Sequence, residues 1–415
     1  MQKIKTGQGN IPLISLIAIW SISLVVNLPG LAISPLLASL EKIFPKAGTL
    51  EVQLLTILPN FFIIPFILLS GKLSVYKNKE LLVFTGLLLY LICGIIYLFA
   101  QNITTLIILS CLLGIACGIV IPLAAGLITD TFTGVYRTKQ LGIKSGIANL
   151  SLVAATLLVG WLGKIDWHLP FAVYMIPVIP LILTPFLKHR TSESKRIITN
   201  AIKNSENING NSANPLNKKL QKNLLWEQII VYFLLTFSAI TITYYLPFLM
   251  QDNKMGTTQV GIATSVFFLF ITIPGFSLTF LVKILGRSIK PISISMIIIG
   301  LSLIAAFNNL YIFIIASALT GMGYGIMQPL IYDATSLLAT KKNLQTLYLS
   351  YIFTANYIAV ATAPFIIDFF KSLLHTDNNV FPFIFNAIIM FILLTFPSLT
   401  YSIIRTCIMK IKQIF

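Results

Sequence analysis

Residues 104–128, TTLIILSCLLGIACGIVIPLAAGLI, run for 25 positions without a charged side chain. A helix needs roughly 20 mostly apolar residues to cross the hydrocarbon core of a bilayer. Twelve such runs fill most of this chain: 11–40, 51–71, 81–100, 104–128, 143–164, 169–187, 226–250, 258–285, 290–307, 310–332, 346–370 and 381–404. They are long and do not alternate, which predicts helices rather than the strands of a barrel. Composition agrees, at 57% hydrophobic and 10% charged, where a soluble domain carries about 25% charged residues. The expected fold is an all-α membrane protein with twelve transmembrane helices. The first run is too long for a signal-peptide core and has no small-residue cleavage site behind it, so it is expected to remain as a span.

The formal net charge is +17, a value that first suggests nucleic acid. Its distribution argues against that. With the N-terminus in the cytoplasm, 24 of the 29 Lys and Arg fall inside, and Lys42, Lys46, Lys164, Lys254 and Lys371 fall outside. That bias predicts cytoplasmic termini and contact with anionic lipid heads. Cys93, Cys111, Cys117 and Cys407 form no CxxC or Cys/His set, and His168, His189 and His375 lie at predicted loops or span ends. Free thiols, no metal and no cofactor are expected.

One polar, basic stretch interrupts the pattern at 188–225. It predicts a cytoplasmic linker, helical in part at its ends, between an N-terminal bundle at 1–187 and a C-terminal bundle at 226–415. The two halves share a phrase. LLGIACGIVIPL at 112–123 and LTGMGYGIMQPL at 319–330 agree at six of twelve positions, 207 residues apart. Gly114, Gly118 and Pro122 match Gly321, Gly325 and Pro329. In the same register Ala148, Asn149, Val153 and Ala154 match Ala355, Asn356, Val360 and Ala361. Six spans per half return the chain to one side, which predicts two parallel six-helix repeats with a site at their interface near the midplane. The paired GxxxG motifs predict close helix packing, and the prolines predict matched kinks.

Over its whole length the sequence resembles the major facilitator superfamily. DTFTGVYRTKQLGIKSGIANLSL is similar to that family's loop between spans four and five, with Arg137 ahead of Gly142 and Gly146. IDWHLPFAVYMI resembles the start of span six in bacterial drug-efflux members. GKLSVYKNKELL stands where the loop two–three signature belongs; Gly71 and Leu73 match it, but Val75, Tyr76 and Asn78 replace its Asp, Arg and second Gly. The Gly-Pro pair of the antiporter signature is missing from span five.

The resemblance implies a cavity lined by spans 1, 4, 7 and 10, with 2, 5, 8 and 11 beside it. Buried polar groups cost free energy in hydrocarbon unless they face a cavity or a partner. Asn27, Asn60, Asn149, Tyr244, Gln328 and Asn356 are the polar residues placed there; substrate binding and interhelical hydrogen bonding are both open to them. Trp20, Tyr245, Tyr324 and Tyr357 are candidates for stacking or for the lipid interface. All acids fall in loops or near span ends. Asp130 and Asp333 close spans four and ten, either as gate ion pairs, for instance Asp130 with Arg137 or a nearby Lys, or as solvated helix ends. Asp368 lies in APFIIDFF, an apolar run that predicts a desolvated carboxyl able to carry a coupling proton.

No Walker-type loop, buried catalytic triad or carboxylate pair is present in the sequence, so an enzyme is not expected. The function implied is secondary transport by alternating access. The leading expectation is export of hydrophobic or amphipathic small molecules by a monomer in a bacterial cytoplasmic membrane, in exchange for protons. Uptake or facilitated exchange of a neutral nutrient is the alternative, and a lipid-modifying membrane enzyme is the rival from another class. Nucleic acid is not an expected partner; membrane lipids are.

Overall fold

The computed structural model describes residues 3–7, 9–33, 36, 40, 43–44, 49–76, 78–163, 165–187, 215–255, 257–339, 344–376 and 378–395. Most of the 188–225 linker, His189, Cys407 and the end of the last apolar run lie outside the described residues. The helices are α1 (Leu13–Ile22), α2 (Thr49–Tyr76), α3 (Lys79–Tyr97), α4 (Ile103–Thr131), α5 (Gly134–Leu162), α6 (Val178–Leu183), α7 (Pro215–Asp252), α8 (Thr257–Leu285), α9 (Ile289–Ala306), α10 (Leu310–Leu338), α11 (Gln345–Leu373) and α12 (Phe381–Thr395). Among the described residues nine helical stretches are long and apolar enough to cross a membrane, one of which, Gln259–Ala306, holds both α8 and α9. Leu13–Val25 and Phe381–Thr395 are shorter apolar helices.

Three expectations need correction. The fold is not purely helical, because Lys3–Lys5 pairs antiparallel with Asn10–Pro12 in a small hairpin. The run 11–40 is not one helix. Its helix passes through a 3-10 turn at Ser23–Val25 and then stops, where Pro29 withholds a backbone donor and Gly30 turns left-handed with φ +74. The run 169–187 is not one α-helix: Pro170 opens a 3-10 segment at Leu169–Met175, Pro177 caps the short α6, and Pro185 lies in a second 3-10 turn at Thr184–Leu187. The end of the 188–225 stretch is helical, since α7 starts at Pro215 within it.

The starts of α1, α3, α5, α7, α9 and α11 share one end of the bundle, termed here the terminal face. Gly134, at φ +57, lets α4 reverse into α5 across two intervening residues; other side chains reach that backbone region only with strain. Within the N-terminal half α4 packs on α2 and α3, and within the C-terminal half α10 packs on α8 and α9. Across the halves α5 packs on α8 and α2 on α11.

The doubled glycines act inside each half. A Cβ on Gly114 would lie 2.5 Å from the Pro59 carbonyl oxygen, and one on Gly118 2.8 Å from that of Ile63. Gly321 meets the Phe267 carbonyl, and Gly325 would place a Cβ 2.5 Å from the Ile271 carbonyl oxygen. The carbonyls contacted in the second half lie 208 residues after those in the first. The repeated phrase therefore encodes one helix contact, α4 on α2 and α10 on α8, built twice.

Gly114→Leu and Gly321→Leu should each lose about 1–3 kcal/mol through overpacking against backbone. Each variant should show a lowered unfolding midpoint in detergent. Gly160→Leu, where nothing lies within 4 Å of the added Cβ, should leave it unchanged. Equal midpoints for all three would refute the packing role.

Candidate functional site

A cavity of about 1310 Å³ opens between the halves at the face opposite the terminal face. From the N-terminal half, α2 contributes Thr56, Ile57 and Asn60, and α5 contributes Leu152, Val153 and Thr156. From the C-terminal half come Thr243, Tyr244 and Tyr245 of α7, Val260, Thr264 and Phe268 of α8, and Val360, Ala361, Pro364 and Asp368 of α11. The walls are mostly apolar, with a few hydroxyl and amide groups. That is the usual make-up of a small-molecule site.

Of the five residues expected to bind substrate, only Tyr244 is on the cavity wall; Asn60 joins it there. Asn27, Asn149, Gln328 and Asn356 lie nearer the terminal face, in a hydrogen-bonded layer below the cavity. Asn27 Nδ2 donates to Asn149 Oδ1 at 3.2 Å, and Asn149 Nδ2 donates to the Ser145 carbonyl at 2.9 Å. The Ser145 hydroxyl donates to Gln328 Oε1, which crosses from α5 to α10 and joins the halves. Gln328 Nε2 donates to the Tyr232 hydroxyl at 3.2 Å, and Tyr232 meets the Tyr332 hydroxyl at 2.7 Å. Tyr324 and Thr236 both donate to Asn356 Oδ1, at 3.2 and 3.1 Å. Both readings left open by the sequence thus have a place. Four of the residues form interhelical bonds of about 0.6 kcal/mol each, and those bonds floor the cavity that Tyr244 lines.

Below this layer the terminal face is closed by charge. Arg137 Nε meets Asp333 Oδ1 at 2.7 Å, and the Thr138 hydroxyl donates to Asp333 Oδ2 at 2.6 Å. Arg137 and Asp333 side chains are 5% and 3% exposed. Removing one member of such a pair strands the other charge and costs about 3–5 kcal/mol. Lys79 Nζ meets Asp130 Oδ2 at 2.8 Å and donates to Thr346 Oγ1 at 2.7 Å, again bridging to the other half. Of the two partners expected for Asp130, Arg137 or a nearby Lys, the ion pair formed is with the lysine, Lys79. The tight turn at Gly134 sends Arg137 across to α10, while Lys79, at the start of α3, takes Asp130. Asp333 is not a solvated helix end, because it is buried against α5.

Asp368 lines the cavity and is exposed there. Phe365, beside it in the apolar run, also lines the cavity.

Lys144 was missed by reading basic residues only as markers of topology. It is 2% exposed, ten residues into α5. Its Nζ lies 4.9 Å from the Phe353 ring centroid and 5.4 Å from that of Tyr332. A desolvated cation over such rings gains about 2 kcal/mol. Its signal was the seven-residue step from Arg137, which puts both on one helix face, beside the small residues Gly142 and Gly146. Those glycines were noted, but their partner was not. Gly142 would place a Cβ 2.5 Å from the Gly275 carbonyl oxygen, and Gly146 lies under the Phe276 ring.

The sequence model of the Major Facilitator Superfamily matches residues 15–252 and 228–406. A segment of 106 residues is 31% identical to the multidrug transporter protein MdtP of Bacillus subtilis, covering 25% of this chain and 20% of that protein. Another of 114 residues is 25% identical to the quinolone resistance protein NorA of Staphylococcus aureus, covering 28% of this chain and 29% of NorA. The matched segments thus span under a third of these relatives. In fold the chain is similar to the proton:xylose symporter XylE, with a TM-score of 0.69 at 15% identity over 93% of this chain and 95% of XylE. The human organic anion transporter MFSD10 gives 0.69 at 13% identity, over 92% of this chain and 97% of MFSD10. A family match across nearly the whole chain, on a helical bundle with a cavity between its halves, identifies this protein as a member of the Major Facilitator Superfamily, a family of multi-pass membrane transporters that are not enzymes.

Proposed function

We propose that this transporter exports hydrophobic or amphipathic small molecules by alternating access, as a monomer in a bacterial cytoplasmic membrane. Its twelve spans form two parallel six-helix repeats, at 1–187 and 226–415, with the termini and the 188–225 linker in the cytoplasm. The observation that carries this reading is the asymmetry of the half-to-half contact. One end holds an apolar-walled cavity of about 1310 Å³, and the other is sealed by Arg137–Asp333 and Lys79–Thr346. With cytoplasmic termini, this is the state that has released substrate outward. The segments shared with MdtP and NorA support the efflux direction.

Glycines bring backbones close within each half and, between the halves, at Gly142 and Gly275, whereas the terminal face itself is joined by side-chain bonds. Opening that face therefore breaks ion pairs and hydrogen bonds while leaving each bundle intact, as rigid-body rocking requires. Asp368 is the one acid among the residues lining the cavity, and on that ground is the proposed proton carrier. The layer of uncharged Asn, Gln and Tyr beneath the cavity favours a second reading, exchange of a neutral nutrient.

Inside-out vesicles containing the protein should accumulate the xanthene dyes rhodamine 123 or fluorescein when a pH gradient is imposed, and lose that accumulation when it collapses. Gradient-independent equilibration of a neutral sugar, with no dye movement, would favour the second reading. Asp333→Asn should strand the Arg137 charge and weaken the closed end by about 3–5 kcal/mol. A cysteine placed at Ser145 should then react faster with a thiol reagent added from the terminal side, and the double exchange Arg137→Asp with Asp333→Arg should slow it again. Asp368→Asn should abolish pH-driven accumulation and spare downhill exchange; unchanged accumulation would remove Asp368 as the carrier.

A further inference from the structure

Lys144 has no part in the scheme above, yet it is a cation buried in the centre of the bundle. It belongs to α5 of the N-terminal half. The two rings that hold it, Tyr332 of α10 and Phe353 of α11, belong to the other half. Cys117 of α4 is the further titratable neighbour acting on it. No carboxylate pairs with it among the described residues. The acids nearest along the terminal side are already engaged, Asp333 by Arg137 and Thr138 and Asp130 by Lys79.

We propose that Lys144 is an anion-recognition site, which takes the carboxylate or sulfonate of an amphipathic organic anion when the terminal face opens. The inference rests on the alternating-access reading and names the substrate class for it. The ring cage spans the two halves, so it exists only while they are closed on that side. When they part, the ammonium stays on α5 and the rings leave with the C-terminal half. The cation then stands on an apolar wall with no acid to receive it. A cationic ligand meets like charge there, and a neutral ligand gains nothing from that charge. An anion with a flat apolar body satisfies both surfaces, with its charge on Lys144 and its body against Tyr332 and Phe353. Closure without substrate restores the cage, so the rings stand in for the absent ligand.

The test uses two dyes with related xanthene ring systems, fluorescein as the anion and rhodamine 123 as the cation. By fluorescence anisotropy on the purified full-length protein, fluorescein should bind at least tenfold more tightly to the wild type than to Lys144→Met. Lys144→Arg should retain most of the affinity. Rhodamine 123 should bind Lys144→Met at least as well as the wild type, which also reports that the variant is folded. Equal fluorescein binding by wild type and Lys144→Met would overturn the proposal. Parallel loss of both dyes in the methionine and arginine variants would also do so, by marking the lysine as structural. Lys144-dependent fluorescein binding in a protein that moves neither dye across vesicles would leave the anion site standing and remove the transport reading. Rhodamine 123 transport with Lys144-independent fluorescein binding would remove the anion site alone.

Discussion

The halves of this molecule approach backbone to backbone where Gly142 of α5 lies against Gly275 of α8. Neither helix carries a Cβ at that point, and the rest of the interface takes its geometry from the contact. At about 1.5 Å per residue, Arg137 lies roughly 7 Å along α5 toward the terminal face, close enough to the other half to bury a salt bridge. Leu152 lies roughly 15 Å in the other direction, where the helices have parted around the cavity. A pair of helices that touch at one level and diverge at another is a wedge. Moving the level of contact moves the opening from one face to the other, and the missing side chains at 142 and 275 leave room for that pivot.

Charge determines what the wedge costs at each end. The terminal end holds Arg137, Lys144, Asp130, Lys79 and Asp333 at or near the interface. All but Lys144 are engaged in ion pairs. A buried pair offsets most of its own desolvation through mutual attraction, so closing over Arg137–Asp333 is tolerable. Closing over Lys144 relies on ring faces, a weaker form of compensation. The closed end therefore contains one well-compensated contact and one poorly compensated contact, and a ligand can improve only the second.

The periodicity and length of the apolar runs made the helices legible, because lipid leaves few other ways to satisfy a backbone. Breaks within them were harder to see. Pro29–Gly30 and the prolines of 169–187 were visible as letters, but neighbouring helices can keep a proline-containing span helical, as with Pro59 and Pro65 inside α2 and Pro122 inside α4. The candidate polar residues were chosen by cost in hydrocarbon, which finds buried groups without saying whether a cavity or a partner satisfies them. Tyr244 found the cavity, and Asn27, Asn149, Gln328 and Asn356 found one another. Arg137 and Asp333 were both singled out, but their 196-residue separation hid the pairing, since contact between halves has no local pattern. Lys144 escaped because a basic residue near the start of a span is what topology rules lead one to expect.

The 207-residue repeat explains why such contacts were hidden. It is kept where packing is at stake, at Gly114 and Gly321, Gly118 and Gly325, Asn149 and Asn356. It is broken where the halves close. The repeat mate of Asp333 is Gly126, that of Tyr332 is Ala125, that of Phe353 is Gly146, and that of Lys144 is Tyr351. The contacts still correspond in outline. Gly126 of α4 receives Thr346 of α11, and Asp333 of α10 receives Thr138 and Arg137 of α5. One side of the closure is thus a small residue under a threonine, and the other is a buried ion pair flanked by a caged lysine. In parallel repeats the two members of each pair lie on the same face, so these differences distinguish one half from the other and not one end of the bundle from the other. The substitutions at 125, 126, 144 and 146 against 332, 333, 351 and 353 place the caged lysine and its rings at one seam of that closure, and leave the other seam to Gly126, Thr346 and Lys79.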